Sequence, residues 1–233
     1  DVNAQLTQTS ALGAINAMMS EGDVAIGAAG SLPGDMQRMW RPTGVDTYNM
    51  EYGYSTMGYE VAGALGVKLA DPEHEVYTFV GDGGFLMGHS DLLTSIQEGH
   101  KINVLLFNNS GHQCIHNLER SQGMGTFGTE FRFREQSTGG LTGGYVPVNY
   151  AKLASAYGVK TWRVTTLTEL HAAIEASKQS DVSTLIEIMV LPGTMTEGYE
   201  NFWRVGTASV AEKESVRKAY EKLNDVVKNL RKY

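Results

Sequence analysis

Two short polar clusters, each at the end of an apolar run, constrain the fold of this chain more than any other feature. Gly81-Asp82-Gly83-Gly84 follows the run Glu75 to Val80, and Asn108-Asn109-Ser110-Gly111 follows the run Ile102 to Phe107. Short apolar runs bounded by turn residues read as buried strands. Between them Leu92, Leu93 and Ile96 recur at helical spacing, Gly99 ends that pattern, and Ser90 is placed to cap it. Strand, helix, strand at this spacing predicts two parallel neighbours, with both polar clusters at the carboxyl edge where open α/β sheets bind ligands. The residues there are oxygen donors. Asp82 offers a carboxylate, Asn109 an amide oxygen and Gly111 a main-chain oxygen, whereas Mg²⁺ takes about six oxygens and draws many of them from phosphate and water. Gly81, Gly83 and Gly84 leave the main chain open to a diphosphate at the start of the next helix, whose free N–H groups favour anions. The pair of clusters therefore predicts a Mg²⁺-diphosphate site, although either one alone is equally an ordinary turn.

The rest of the chain alternates in the same way. A helical pattern from Leu6 to Ser20 precedes a strand from Val24 to Ala29, and Gly30 to Asp35 then reads as a loop. Ser31 and the neighbouring Leu32 can face the diphosphate from the side opposite Gly83, and the same residues also fit a plain strand-to-helix turn. Tyr52 to Met57 leads into a small-residue helix, Gly58 to Ala70, closed by Asp71-Pro72. After the second cluster, Asn117 to Asn149 is glycine-rich and without period, which predicts a long loop of the functional kind. Within it Arg132 and Arg134 are placed either to meet an oxygen-rich ligand or to be solvated. A helix from Tyr150 to Tyr157, a strand Lys160 to Val164, a helix Leu167 to Lys178 and a strand Thr184 to Leu191 complete the pattern, which Pro192 stops. Five apolar strands alternating with helices predict an α/β fold, a doubly wound, mostly parallel sheet with helices on both faces. The division expected is a cofactor domain over 1–192 and a C-terminal extension over 193–233. That extension carries Tyr199, Phe202 and Trp203, then a terminal helix opened by a capping box at Ser209 to Glu212. Val216, Tyr220, Leu223, Val227 and Leu230 share one face of that helix, with Lys228, Arg231 and Lys232 at its end.

Gly-Asp-Gly, then 24 residues, then Asn-Asn resembles the signature of the thiamine-diphosphate enzymes, and specifically of their cofactor-diphosphate (PP) domain. The resemblance implies the thiamine-diphosphate-binding fold, thiamine diphosphate and Mg²⁺ as cofactors, and Asp82, Asn109 and the Gly111 oxygen as metal ligands. It also implies a diphosphate contact in the loop that runs to Met39-Trp40. Thr56-Met57-Gly58 resembles the segment whose Met props the cofactor into its folded shape, a role that this likeness gives to Met57; packing in the core is the other reading.

Further stretches resemble one branch of that family, the hydrolases that open a cyclic dione in inositol breakdown. They are Ala29 to Asp35, His89-Ser90, Thr94 to Gly99, Gly123 to Gly125, Phe127 to Arg132, Thr194 to Thr196 and Trp203 to Gly206. The likeness implies a polyol-derived cyclic dione as the small-molecule substrate and hydrolytic cleavage of a carbon–carbon bond. In this family a separate pyrimidine-binding (PYR) domain supplies an activating Glu, and a second subunit contributes it, which implies a homodimer or homotetramer. No stretch here resembles the PYR or the central domain. The chain opens at Asp1 without Met, directly in a helical pattern, which predicts the C-terminal piece of a longer polypeptide, inactive alone. His89 and His112 are the candidate catalytic residues, with Gln113 and His116 beside them.

Composition sets limits on the alternatives. With 19 basic against 26 acidic residues and a net charge of −7, no phosphate-backbone partner is expected, so nucleic acid is excluded. No apolar run approaches a membrane span of about 20 residues, and the single cysteine, Cys114, fits a reducing cytoplasm. Competing expectations are an acetolactate synthase-like or 2-oxoacid decarboxylase thiamine enzyme and, from another class, a non-catalytic cofactor-binding or oligomerisation module. A nucleotide-binding domain is disfavoured because Gly-x-Gly-x-x-Gly does not follow the first strand.

Overall fold

The computed structural model describes residues 4–196 and 206–229. Its core is a sheet of β1 (Val24–Gly27), β2 (Tyr48–Met50), β3 (Val76–Gly81), β4 (Asn103–Asn108), β5 (Lys160–Val164) and β6 (Thr184–Met189). The strands lie in the order β2-β1-β3-β4-β6-β5, and every pairing is parallel. Alternate side chains point to opposite faces of a strand, and both faces here are apolar. Tyr77, Phe79, Leu105, Phe107, Ile186 and Ile188 pack on one side against α1 (Gln8–Met18), α2 (Ser31–Met39) and α8 (Leu167–Lys178). Val76, Val80, Val104, Leu106 and Leu185 pack on the other against α3 (Tyr59–Ala70), α4 (Asp82–Met87), α5 (Asp91–Glu98) and α7 (Tyr150–Ser155). The doubly wound sheet expected from the sequence is therefore present. Because β2 lies on one side of β1 and β3 on the other, the winding reverses between β1 and β3. The crevice at their carboxyl ends is where such sheets hold ligands, and it is lined by Gly30-Ser31 and by Gly81-Asp82.

Several local expectations change. The apolar pattern predicts five strands, and a sixth, β2, forms the edge; its Asn49 is exposed and its neighbours are half-buried, too weak a pattern to read as a strand. The segment Gly30 to Asp35 is not a loop, because α2 begins at Ser31 and buries Leu32, Pro33, Gly34 and Met36. Proline is tolerated there because N–H groups in a first helical turn have no partner within the helix. At α1, Thr7 and Ser10 form a reciprocal capping box, so the helix starts later than the apolar pattern suggests. Ser90 makes no side-chain cap and is itself helical, while Gly99 closes α5 in the left-handed conformation at φ 67°.

The terminal helix, α9 (Glu214–Lys228), starts at Lys213 rather than at Ser209. Arg217 donates to the Ala211 and Glu212 carbonyls, holding those residues outside the helix, and Ser215 Oγ donates to Gly123 O instead. Asn149 caps α7 by accepting from Lys152 N at 2.7 Å. Beyond α6 (Gln113–Ser121) the long glycine-rich segment is ordered by its own main chain, with Val146 N–H donating to Phe131 O at 2.8 Å and bridges joining Arg132 to Tyr145 and Glu130 to Gly111. The expected roles of Tyr199, Phe202, Trp203, Leu230, Arg231 and Lys232 fall outside the described residues.

Candidate functional site

The carboxyl ends of β3 and β4 bring the two polar clusters together. Asp82 is fully buried at the start of α4. Its Oδ1 accepts from Gly83 N–H and its Oδ2 from Gly111 N–H, each at 3.0 Å. One end of the Asn109 amide faces inward, 3.1 Å from Asp82 Oδ1 and 2.9 Å from the Gly111 carbonyl oxygen. With its oxygen inward, that end is repelled by both neighbours unless a cation lies among them; with its nitrogen inward, it donates a hydrogen bond to each. Those distances suit either arrangement. At a metal–oxygen distance of about 2.0–2.1 Å, adjacent corners of an octahedron are about 2.9 Å apart, which is the geometry Mg²⁺ demands. Burial pushes the Asp82 carboxyl up to about 7, against the pull of the N–H donors of Gly83, Gly111 and Ser110. A nearby positive charge would hold it ionised.

The turn carrying Asn109 is held from both sides. Asn108 Oδ1 accepts from Ser110 N–H at 3.2 Å, which stabilises Ser110 at φ 63°. Gln113 Nε2 donates to the Asn109 carbonyl at 3.2 Å, and its own buried Oε1 has no partner among the described residues. From the far side the glycine-rich segment clamps the turn, with Phe131 N–H donating to Ser110 O at 2.8 Å and His112 N–H to Thr129 O at 2.7 Å. A Cβ on Gly111 would fall 2.4 Å from the Thr129 carbonyl oxygen, so this closeness requires glycine. Arg132 is occupied within that segment: its guanidinium pairs with Glu130 at 2.8 Å, donates to Gly143 O and lies over the Tyr145 ring. Arg134 donates to the Gly139 carbonyl and is exposed.

The remaining candidates divide by position. Ser31 opens α2 beside Gly30, whose φ of 115° turns the chain out of β1, and its N–H faces the Cys114 thiol at the start of α6. Leu32 is buried in the core below, so only its main chain can meet a ligand. Met57 is half-buried in the turn before α3 and belongs to neither core cluster, which disfavours the packing reading. The room that Gly83 leaves is filled by the His112 ring, whose Nδ1 would lie 2.4 Å from an added Cβ. His112 thus stands against the Asp82 turn, edge-on to Phe131. His89 does not join them: its ring stacks on Phe85 and its Nδ1 meets the Tyr157 hydroxyl at 3.1 Å, on the α7 side. Gly84 leaves room for Glu60, a buried carboxylate that accepts from Gly58 N–H at 2.7 Å. Glu60 gives no periodic signal in the sequence, and neither does Glu187, which lies in the apolar run of β6. Asp35, buried in α2, accepts from Gln8 and Thr196, drawing the stretch after β6 over the α2 side of the crevice.

Residues 28–188 match the model described as thiamine pyrophosphate enzyme, C-terminal TPP binding domain. A 3D-(3,5/4)-trihydroxycyclohexane-1,2-dione hydrolase of Bacillus cereus (strain AH820) is 55% identical over 232 residues, which cover 100% of this chain and 36% of that protein. The protein of the same name from Geobacillus thermodenitrificans (strain NG80-2) is 55% identical over 230 residues, covering 99% and 36%. The chain thus spans about a third of the length of these curated relatives. In fold it is similar to the Rhodococcus jostii RHA1 thiamine diphosphate-dependent 4-hydroxybenzoylformate decarboxylase, with a TM-score of 0.69 at 19% identity over 82% of this chain and 34% of that one. A parallel sheet with its polar clusters at the carboxyl ends of β3 and β4, the first of them bordering the switch point, and a family match across most of its length agree: the chain belongs to the thiamine pyrophosphate enzymes, whose C-terminal cofactor-binding domain it carries.

Proposed function

We propose that this chain is the diphosphate- and metal-holding part of an enzyme that opens a polyol-derived cyclic 1,2-dione by hydrolysing a carbon–carbon bond. The substrate class comes from relatives 55% identical across the chain, named 3D-(3,5/4)-trihydroxycyclohexane-1,2-dione hydrolases. The metal role is supported by one observation above all, the inward end of the Asn109 amide 3.1 Å from Asp82 Oδ1 and 2.9 Å from the Gly111 oxygen, which we read as the amide oxygen. Asp82 supplies the only formal charge in that set and so sets the affinity for Mg²⁺. The Ser31 side chain, beside Gly30, and the main chain at Leu32 and Gly81 to Gly84 border the space for the diphosphate. Met57, at the α3 entrance, supports the cofactor's body from its apolar side. When bound, thiamine diphosphate supplies a nucleophilic carbon for the carbonyl and a sink for the electron pair of the breaking bond. His112, against Gly83, is the group placed to exchange a proton there; His89, packed on Phe85, acts instead as support for α4. The activating carboxylate comes from a PYR domain of a second subunit in a homodimer or homotetramer working in the cytoplasm.

Asp82→Ala in the full-length enzyme tests this reading. Removing the charged ligand is expected to abolish Mg²⁺-dependent binding of thiamine diphosphate by calorimetry while the fold persists. Unchanged cofactor affinity at saturating Mg²⁺ would refute the assignment.

A further inference from the structure

Glu187 is an isolated acidic residue in the middle of a parallel sheet, and its side chain is completely buried. A carboxylate in such a place is stable only when its oxygens are well paired. Its Oε1 accepts from Asn108 Nδ2 at 2.7 Å, and Arg163 Nε stands 3.4 Å from the same oxygen. Its Oε2 accepts from the Ala151 N–H at the start of α7, at 3.0 Å. The buried Tyr150 ring, which precedes Ala151, packs edge-on against Phe85 of α4. One carboxylate therefore joins β6, β4 and α7 directly below the site.

We infer that Glu187 is the positioning residue of the metal-binding turn, acting through the amide of Asn108. An amide has two ends and can present either one to a neighbour. Because Glu187 can only accept, it takes the NH₂ end of Asn108, which leaves the oxygen end to accept from Ser110 N–H at 3.2 Å. That bond bends the chain at Ser110 and so sets where Asn109 Oδ1 and the Gly111 oxygen stand relative to Asp82. Glu187 touches neither cofactor nor substrate; its effect is on the direction of two donor atoms one turn above it. This inference rests on the proposed metal site and deepens it.

The polarity of the network makes a reciprocal exchange the decisive test. In Glu187→Gln one end of the new amide must face a donor, either Asn108 Nδ2 or Ala151 N–H, so one bond becomes a repulsion. In Asn108→Asp two buried carboxylates oppose each other. Combining the two restores the hydrogen bonds to Ala151, position 108 and Ser110, and keeps one buried negative charge, while the 3.4 Å contact with Arg163 is lost: the amide now at position 187 accepts from Ala151 N–H through its oxygen and donates through its nitrogen to the carboxylate now at position 108. In the full-length enzyme, Mg²⁺ affinity at saturating thiamine diphosphate is measured by calorimetry, alongside thermal unfolding. Each single substitution is expected to weaken Mg²⁺ by about tenfold or more, the usual cost of losing a group that orients a metal ligand. The double substitution is expected to recover at least half of that loss on a logarithmic scale, the non-additivity expected of contacting partners. Where a single variant does not fold, the double is compared with wild type, and folding with affinity within about threefold of it supports the inference. Wild-type Mg²⁺ affinity in folded single variants, whatever their unfolding temperature, overturns it, as does a double variant that stays unfolded or recovers less than half. Asp82→Ala, measured beside them, separates the two readings: if it too leaves Mg²⁺ affinity unchanged, the metal site itself is wrong, and if it alone destroys binding, only the role of Glu187 falls.

Discussion

Glycine at 111 is fixed by a neighbour that is far away in the sequence. A methyl group there would meet the Thr129 carbonyl oxygen at 2.4 Å and Glu130 Cα at 2.7 Å, so the substitution Gly111→Ala has to push the glycine-rich segment off the turn proposed to bind the metal. Overpacking of this kind costs about 1–3 kcal/mol. The expected outcome is a lowered urea midpoint together with weaker Mg²⁺ binding, both measured on the purified full-length enzyme; a variant with wild-type values for both would show that the segment is not held in place. The sequence made Asp82, Asn109 and Gly111 legible as a group because strand, turn, helix, strand at that spacing leaves little choice of geometry. It did not make legible what holds them. Glu187 sits in a run otherwise apolar, and Glu60 among small residues, and a single acid in either setting carries no period. His89 misleads in the opposite way: it is near in sequence to Asp82, but α4 carries it away to the Phe85 and Tyr157 side.

At the scale of elements, α3 and α4 are linked by Glu60, whose carboxylate bonds the Gly58 N–H and fills the space beside Gly84. Burial raises its folded-state pKa above the usual carboxylate value, with the N–H donors of Glu60 and Gly58 opposing. The sign follows from proton linkage. In the window between the unfolded pKa of about 4.3 and the raised folded one, the folded chain binds more protons than the unfolded, so stability falls as pH rises. Glu60→Gln keeps an acceptor for Gly58 and removes the ionisation. Urea unfolding across pH 4 to 8 is expected to show a decline in the wild type that is smaller in the variant; equal slopes would mean that Glu60 is well solvated. The same scale explains the misread elements. Long apolar strands and the α8 bounds were plain because burial on both faces leaves runs without polar breaks, whereas β2 is a three-residue edge with an exposed Asn49. Pro33 and Gly34 suggested a loop, yet a helix's first turn accepts both. The Ser209 box is outcompeted by a contact that sequence distance conceals, Ser215 to Gly123, and by a local one, Arg217 to Ala211.

At the scale of the whole molecule, the described residues build one side of the crevice and leave the other open. The α2 side is closed by Asp35 and the stretch Thr194 to Thr196, while around the α3 entrance Met57 is half-buried and Tyr54, Leu86 and Met87 are exposed. Apolar side chains left uncovered beside a binding crevice mark an interaction surface, and the relatives extend well beyond the 36% of their length that this chain covers. The PYR domain is the occupant expected here. The residues assembled in this chain are those proposed to hold metal and diphosphate, and holding a cofactor does not by itself supply the carboxylate that activates its far end. The isolated chain, with Mg²⁺ and thiamine diphosphate, is therefore expected to bind the cofactor measurably by calorimetry and to leave the cyclic dione unchanged, whereas the full-length enzyme opens the ring. Misplacing reacting groups by about 1 Å can already cost a hundredfold in rate, and removing the activating group altogether costs more. The assay compares the isolated chain with the full-length enzyme at equal cofactor occupancy and follows the open-chain product. Turnover by the isolated chain at the full-length rate would place the activating group within these 233 residues, with Glu60, the buried carboxylate between Gly58 and Gly84, as the first residue to examine.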